Sequence, residues 1–352
     1  MPRFSRRNVL EGAAALTLGS FAGKVLAAAP PPQAITPELI AAAKKEGQVT
    51  WYTSADLQLA NLVGKAFEKK FPGITARVER AGGERIFTRV AQEYASGIHV
   101  ADAVSTGDAA AFLVWKREGK LAPYVCEDVA RYIPAEHQDP GGFYATVRSS
   151  LCVIAYNTEL VKKADAPKSF ADLLDPKWKG KMVKAHPSYS GTIITATFQL
   201  VRELGWGYLE KLSHQNVLQV QSATDTPKRV VRGERAVMVD GNESNVLLLK
   251  EAGKPIEVVY ATEGTPSIVQ PSGIFASAPH PNAARLFHSY LFTPEGQRFF
   301  VDVGGLRSVH ALVKDKAGRT PLSAIKRWKD DPAGVMAHGE EIKRHYSQLF
   351  HV

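Results

Sequence analysis

Short β-rich runs alternate with helical segments along most of this chain, and that alternation restricts it to a small set of α/β architectures. Val49-Thr50-Trp51-Tyr52-Thr53 carries no charge and reads as a buried strand. Leu59, Leu62, Val63, Ala66 and Phe67 follow at helical spacing with Phe71 one turn on, until Pro72-Gly73 ends the helix. Residues 74–79 alternate apolar and polar as a strand does. A helix is expected over 85–95, a short strand over 100–104 and a helix over 109–118. After a loop rich in Pro and Gly near residues 140–142 the pattern resumes. Strands are expected at 151–156, 182–185, 217–221, 236–239 and 256–260, and helices at 192–203, 229–232 and 246–252. Two α/β runs, one on each side of roughly residue 150, imply two lobes, a length-consistent reading for a 352-residue chain.

The N-terminus reads as an address. Ser5-Arg6-Arg7-Asn8-Val9-Leu10 precedes a modestly apolar run to Ala22, then Lys24 and Val25-Leu26-Ala27-Ala28. Paired arginines, a short apolar core and small residues describe a bacterial export signal of the twin-arginine type over residues 1–27, cut after Ala27 or Ala28. The run is shorter than the roughly 20 apolar residues that a membrane span needs. The working protein is therefore expected outside the inner membrane, in the periplasm. Residues 28–37 are rich in Ala and Pro and read as a tether. Of the net charge of +9, residues 1–27 contribute +3, so the mature chain stands near +6 with its basic residues interleaved with acids. No arginine-rich strip with interleaved aromatics is present, which argues against nucleic acid as a partner. The two cysteines, Cys126 and Cys152, fit no metal or redox spacing. They read either as a disulfide in an oxidising compartment or as two buried thiols.

Four polar turns stand where predicted strands lead into helices. His186-Pro187-Ser188-Tyr189-Ser190-Gly191-Thr192 offers hydroxyls, a small residue and the open amides of a helix start, a pattern that favours a carboxylate, phosphate or phosphonate. The others are Tyr52-Thr53-Ser54-Ala55-Asp56, Ser105-Thr106-Gly107-Asp108 and Asp240-Gly241-Asn242-Glu243. Any one of them alone is more often a helix cap than a binding loop. Two from each run, at the carboxyl ends of strands, suit a shared cleft. The candidate ligand-binding residues are Ser54, Asp56, Thr106, Asp108, Ser188, Tyr189, Ser190, Gly191, Thr192, Asp240 and Glu243. No Gly-x-Ser-x-Gly, His-Glu-x-x-His, Gly-x-x-x-x-Gly-Lys or Gly-x-Gly-x-x-Gly motif occurs, so no catalytic residue, cofactor or metal ligand is assigned and a binding protein is expected in place of an enzyme.

Taken in order, Trp51-Tyr52-Thr53-Ser54, the helix ending Phe71-Pro72-Gly73, Ala101-Asp102-Ala103, Val153-Ile154-Ala155-Tyr156-Asn157-Thr158, Phe170-Ala171-Asp172-Leu173-Leu174-Asp175-Pro176-Lys177-Trp178-Lys179-Gly180-Lys181, the Ser190-Gly191-Thr192 loop and Thr293-Pro294-Glu295-Gly296-Gln297 resemble the extracellular solute-binding proteins of ABC importers, in the group that includes the ferric-iron-binding proteins. The resemblance spans essentially the whole mature chain. It implies an α/β, two-lobed periplasmic-binding-protein-like clamp of type II, each lobe a mixed sheet flanked by helices. Lobe one would take residues 38–150 and 262–302, and lobe two residues 151–261 and 303–352. The protein would act as a monomer, close on a small ligand, and present it to an inner-membrane permease with its ATPase. The ferric-binding pattern of a His after the first strand, a Glu near residue 104 and adjacent tyrosines after residue 239 is replaced here by Asp56, Gly107 and Asn242-Glu243. With Asp240 and Glu243 at one end and the Ser188–Thr192 loop at the other, the expected ligand is a small anion or zwitterion: an aminophosphonate, an amino acid or a phosphorylated compound. The alternatives are an exported protein for a hard cation such as ferric iron, and an exported enzyme of unknown class.

Overall fold

The computed structural model describes residues 28–352; the export signal expected over residues 1–27 lies outside them. The chain first lays down five strands: β1 (Gln48–Thr53), β2 (Thr75–Arg80), β3 (Ala103–Ser105), β4 (Leu121–Ala122) and β5 (Tyr144–Leu151). It then builds a second sheet from β6 (Ile154–Asn157), β7 (Met182–Ala185), β8 (Leu218–Val220), β9 (Val237–Met238) and β10 (Ile256–Val259). Finally it returns to the first sheet with β11 (Thr265–Phe275) and β12 (Arg327–Trp328). The first sheet runs β12-β11-β3-β1-β2, with β4 and β5 also paired to β11, and the second runs β10-β6-β9-β7-β8. Both are mixed. β1 is parallel to β2 and β3, while β11 is antiparallel to β3 and β5; β7 is parallel to β8 and β9, while β6 is antiparallel to β9 and β10.

Helices α1 (Pro37–Glu46), α2 (Leu57–Lys70), α3 (Gly83–Ala95), α4 (Ala109–Arg117) and α5 (Glu127–Tyr132) belong to the first half. α6 (Gly191–Leu204), α7 (Trp206–Ser213), α8 (Thr226–Val231) and α9 (Glu243–Glu251) serve the second. α10 (Pro281–Phe292), α11 (Pro294–Arg298) and α12 (Pro332–Phe350) follow β11. Helix α2 shows how the sequence sets such an element. Asp56 caps it by accepting the Gln58 amide, Leu59, Ala60, Val63 and Phe67 form its buried stripe, and Gly73 at φ 96° turns the chain away. That stripe packs in the first core with Trp51, Phe287 and Tyr290. A second core gathers Phe170, Trp178, Leu209, Val237 and Tyr346.

The 151–156 stretch, expected as one strand, is two. β5 ends at Leu151 in the first sheet and β6 begins at Ile154 in the second, so the chain crosses between lobes there. The second crossing lies between β10 and β11. The C-terminal region is divided between the halves: β12 pairs with Thr265–Pro266 of β11, Trp328 joins the second core, and α12 packs on both α6 and α4. Cys126 and Cys152 are free, buried thiols in different cores.

Candidate functional site

Strand ends from both sheets meet at one cleft. Two adjoining chambers, of about 280 and 200 Å³, share Ser54, Thr192, Thr224 and Asn242 as lining residues. The first is also lined by Asp56, Arg148, Ser244, Asn245 and Gln270; the second by Arg80, Arg85, Tyr189, Ser190 and Gly191. Among the described residues the charged groups lining them are three guanidiniums and one carboxylate, Asp56.

Arg148 is the chemical centre. Alternation along β5 turns Ala145 and Val147 into the first core and sends Arg148 to the opposite face, toward the cleft. There it stands opposite Gln270 of β11, to which its Nε donates at 2.8 Å, and its Nη1 donates to Ser105 Oγ of β3 at 3.3 Å. Its side chain is fully buried, with the Phe300 ring 5.2 Å away, yet Nη2 has no partner and no carboxylate pairs with it among the described residues. Burial alone pushes the guanidinium's pKa down from 12.5 to about 9, so it remains a cation at neutral pH. An uncompensated buried cation facing a cavity is costly unless an anion arrives.

Two helices open onto the same space. α6 begins at Gly191, and its N-cap Ser190 is extended and makes no side-chain cap bond. α9 begins at Glu243, and its N-cap Asn242 also makes none, leaving Asn242 Oδ1 without a partner. Both helix starts therefore present backbone amides and partial positive charge at the chamber walls. Ser54 Oγ accepts the Gly107 amide at 3.0 Å, which leaves its proton free to donate to a ligand.

The lobes are closed on each other. A Cβ added at Gly191 would lie 2.5 Å from Asp108 Cβ, and one added at Gly107 would lie 2.6 Å from Thr192 Oγ1. Gly191 is thus small because it meets Asp108 of the facing lobe.

Of the expected site residues, Ser54, Asp56, Tyr189, Ser190, Gly191 and Thr192 line the chambers. Five do not. Asp240 and Lys184 are both fully buried and form an ion pair at 2.7 Å inside the second lobe; burial raises the carboxyl's pKa and the ammonium opposes that rise. Glu243 receives Arg307 at 2.7 and 2.9 Å, and Tyr260 donates to it at 2.6 Å. The expected acidic end of the site, which would hold a ligand's cationic group, is therefore consumed in internal pairing. Thr106 Oγ1 closes its own turn by accepting the Asp108 amide at 3.3 Å. Asp108 caps α4 through the Ala110 amide and faces Glu84 and Lys343 in a separate cavity. The Ser188 amide donates to His186 Nδ1, outside both chambers. The sequence reading missed Arg148, Gln270, Arg80, Arg85, Thr224, Ser244 and Asn245. A signal existed for Arg148, an arginine in the strand-like run Tyr144-Ala145-Thr146-Val147-Arg148-Ser149-Ser150-Leu151 with no neighbouring acid.

Comparison with known proteins identifies the family and the fold. The family described as bacterial extracellular solute-binding protein matches residues 63–336. A probable ABC transporter periplasmic-binding protein of Sinorhizobium fredii is 24% identical over 288 residues, 79% of this chain and 75% of the relative. A putative 2-aminoethylphosphonate-binding periplasmic protein of Salmonella typhimurium is 24% identical over 275 residues, 74% of this chain and 78% of the relative. The fold is shared with the periplasmic binding protein AfuA of Actinobacillus pleuropneumoniae, solved with exogenous fructose-6-phosphate bound. That match has a TM-score of 0.79 and 23% identity, and covers 87% of this chain and 99% of that one.

Proposed function

From the premise that the chain belongs to the bacterial extracellular solute-binding protein family, we propose that it captures a small phosphoryl or phosphonyl compound between its lobes and delivers it to an ABC importer. The observation that carries this reading is Arg148, a buried cation that lines an interlobe chamber and whose Nη2 has no partner among the described residues. An anion seated there gains charge-assisted hydrogen bonds in a site that water reaches poorly. The starts of α6 and α9 and the hydroxyls of Ser54, Thr192 and Thr224 complete a donor set suited to tetrahedral oxyanions. The relatives' phosphonate and sugar-phosphate ligands belong to the same chemical class. Asp56 gives an ammonium group one place to sit, which keeps an aminophosphonate within that class.

Tyr189 is the one tyrosine lining the chambers among the described residues, and Tyr52 and Tyr260 donate to Glu93 and Glu243 instead. That arrangement favours an anion over ferric iron. We further propose that the protein is exported on the leader at residues 1–27, works as a periplasmic monomer beside its permease and ATPase, and catalyses no reaction. Thermal-shift measurements on unfolded and refolded mature protein test the ligand class. Sugar phosphates and phosphonates should raise the melting temperature, because a ligand at a hundredfold excess over its Kd adds about 2.7 kcal/mol. Stabilisation by neutral sugars or free ferric ion, with no response to any phosphorus compound, would overturn the reading.

A further inference from the structure

The cleft carries positive charge at two separate places. Arg148 belongs to one chamber, and Arg80 and Arg85 belong to the other. The two chambers share the neutral residues Ser54, Thr192, Thr224 and Asn242. The second place is the more open: Arg148 is fully buried, whereas Arg80 is half-buried and Arg85 exposed. Arg80 donates Nε to the Ala55 carbonyl at 3.3 Å and, among the described residues, pairs with no carboxylate within hydrogen-bonding reach. Arg85 Nη2 donates to Gln221 Oε1 at 2.5 Å, reaching from α3 across to the other lobe, where its guanidinium also lies 5.8 Å from the Tyr189 ring. Burial and the neighbouring Arg85 charge lower the Arg80 pKa, while Asp56 opposes that. Each chamber also has its own helix start. Ser190 and Gly191 at the start of α6 line the Arg80 chamber, Ser244 and Asn245 at the start of α9 line the Arg148 chamber, and Thr192 and Asn242 line both.

Resting on the anion reading above, we propose that the ligand carries two anionic groups, a phosphoryl or phosphonyl at one end and a carboxylate or second phosphoryl at the other, held respectively by the two arginine chambers. A single phosphoryl group can neutralise one end only: seated at Arg80 and Arg85 it leaves Arg148 buried without an anion, and seated at Arg148 it leaves the half-buried Arg80 and the exposed Arg85 without a carboxylate in hydrogen-bonding reach among the described residues. The second anionic group also locks closure, because Arg85 and the Ser190–Thr192 turn come from opposite lobes and meet at the same chamber. The chemistry is that of a phosphorylated sugar acid.

Two matched probe pairs test this by calorimetry on refolded protein. They are 6-phosphogluconate against sorbitol 6-phosphate, and 3-phosphoglycerate against glycerol 3-phosphate. Within each pair a carboxylate replaces a hydroxymethyl on the same skeleton. At least one carboxylate-bearing probe should bind ten times or more tighter than its partner, as expected when a charge-assisted contact is gained. In the Arg148→Gln variant and the Arg80→Gln/Arg85→Gln variant, one substitution should bring that ratio close to one, while the other preserves it and weakens both probes. Which variant does which assigns the carboxylate to its chamber. Phosphate probes that bind tightly to the wild-type protein with no preference, or with a preference that survives both variants, overturn the two-anion proposal and leave the single-anion reading standing. Absence of binding by all four probes overturns both.

Discussion

Replacing Arg148 with Met should move stability and binding in opposite directions. In the ligand-free protein the guanidinium's pKa is lowered from 12.5 to about 9 by burial alone. That difference corresponds to about 5 kcal/mol of penalty on the charged form. Its bonds to Gln270 and Ser105 return about 1 kcal/mol each, and losing them leaves Gln270 Oε1 short of a donor. Ser105 Oγ keeps contacts with Trp51 and Thr53. The net expectation for Arg148→Met is a ligand-free protein more stable by about 2 kcal/mol. Binding should collapse, because two charge-assisted bonds at about 1.5–3 kcal/mol each are lost, a hundredfold or greater rise in Kd. Urea unfolding of the refolded protein reads the first effect and calorimetry with the ligand reads the second. A variant destabilised by more than about 1 kcal/mol that still binds with wild-type affinity would show Arg148 to be a structural residue and would refute the argument.

Gly191→Ala should hold the lobes apart, since the added methyl falls against Asp108. Its ligand affinity should drop tenfold or more, and small-angle scattering should show a larger radius of gyration at saturating ligand than in wild type. Asp240→Asn breaks a fully buried ion pair and should cost about 3–5 kcal/mol in denaturant unfolding, with ligand affinity unchanged wherever the variant is folded. Asp108 has its pKa raised from 3.8 to about 7 by burial and by Glu84, so the folded protein keeps a proton that the unfolded chain releases. Stability from this group is full below about pH 4 and is lost as pH rises toward 7. Asp108→Asn retains the α4 cap, and its stability advantage over wild type should therefore grow from pH 4 to 7 in paired melts. Changing Arg6 and Arg7 together to Lys should leave precursor inside the cell on fractionation, and normal export would remove the twin-arginine proposal.

The α/β alternation, the two-lobe division and the helix starts at Asp56 and Ser190-Gly191-Thr192 were legible because each depends on local residues: strand composition, helical spacing and capping turns. Elements set by distant partners were not. β11 contains Pro266, Pro271 and Gly273, residues that break a strand pattern, yet it is the strand that joins β3, β4, β5 and β12. A register shift between Gln270 and Pro271 accommodates the proline. Asp240 resembled a binding residue because it ends a strand. Its partner Lys184 comes from β7, which runs parallel to β9, and the pairing appears only once those strands are side by side. Arg148 was missed for the converse reason, because its importance lies in partners it lacks.

The most direct test is to purify the protein natively from the cells that make it, denature it, and identify the released solute by negative-mode mass spectrometry, with Arg148→Met prepared in parallel. The account predicts an anionic phosphorus compound at near-stoichiometric amounts from the wild-type protein and its absence from the variant. A neutral or purely cationic solute, or equal recovery from both preparations, would contradict it.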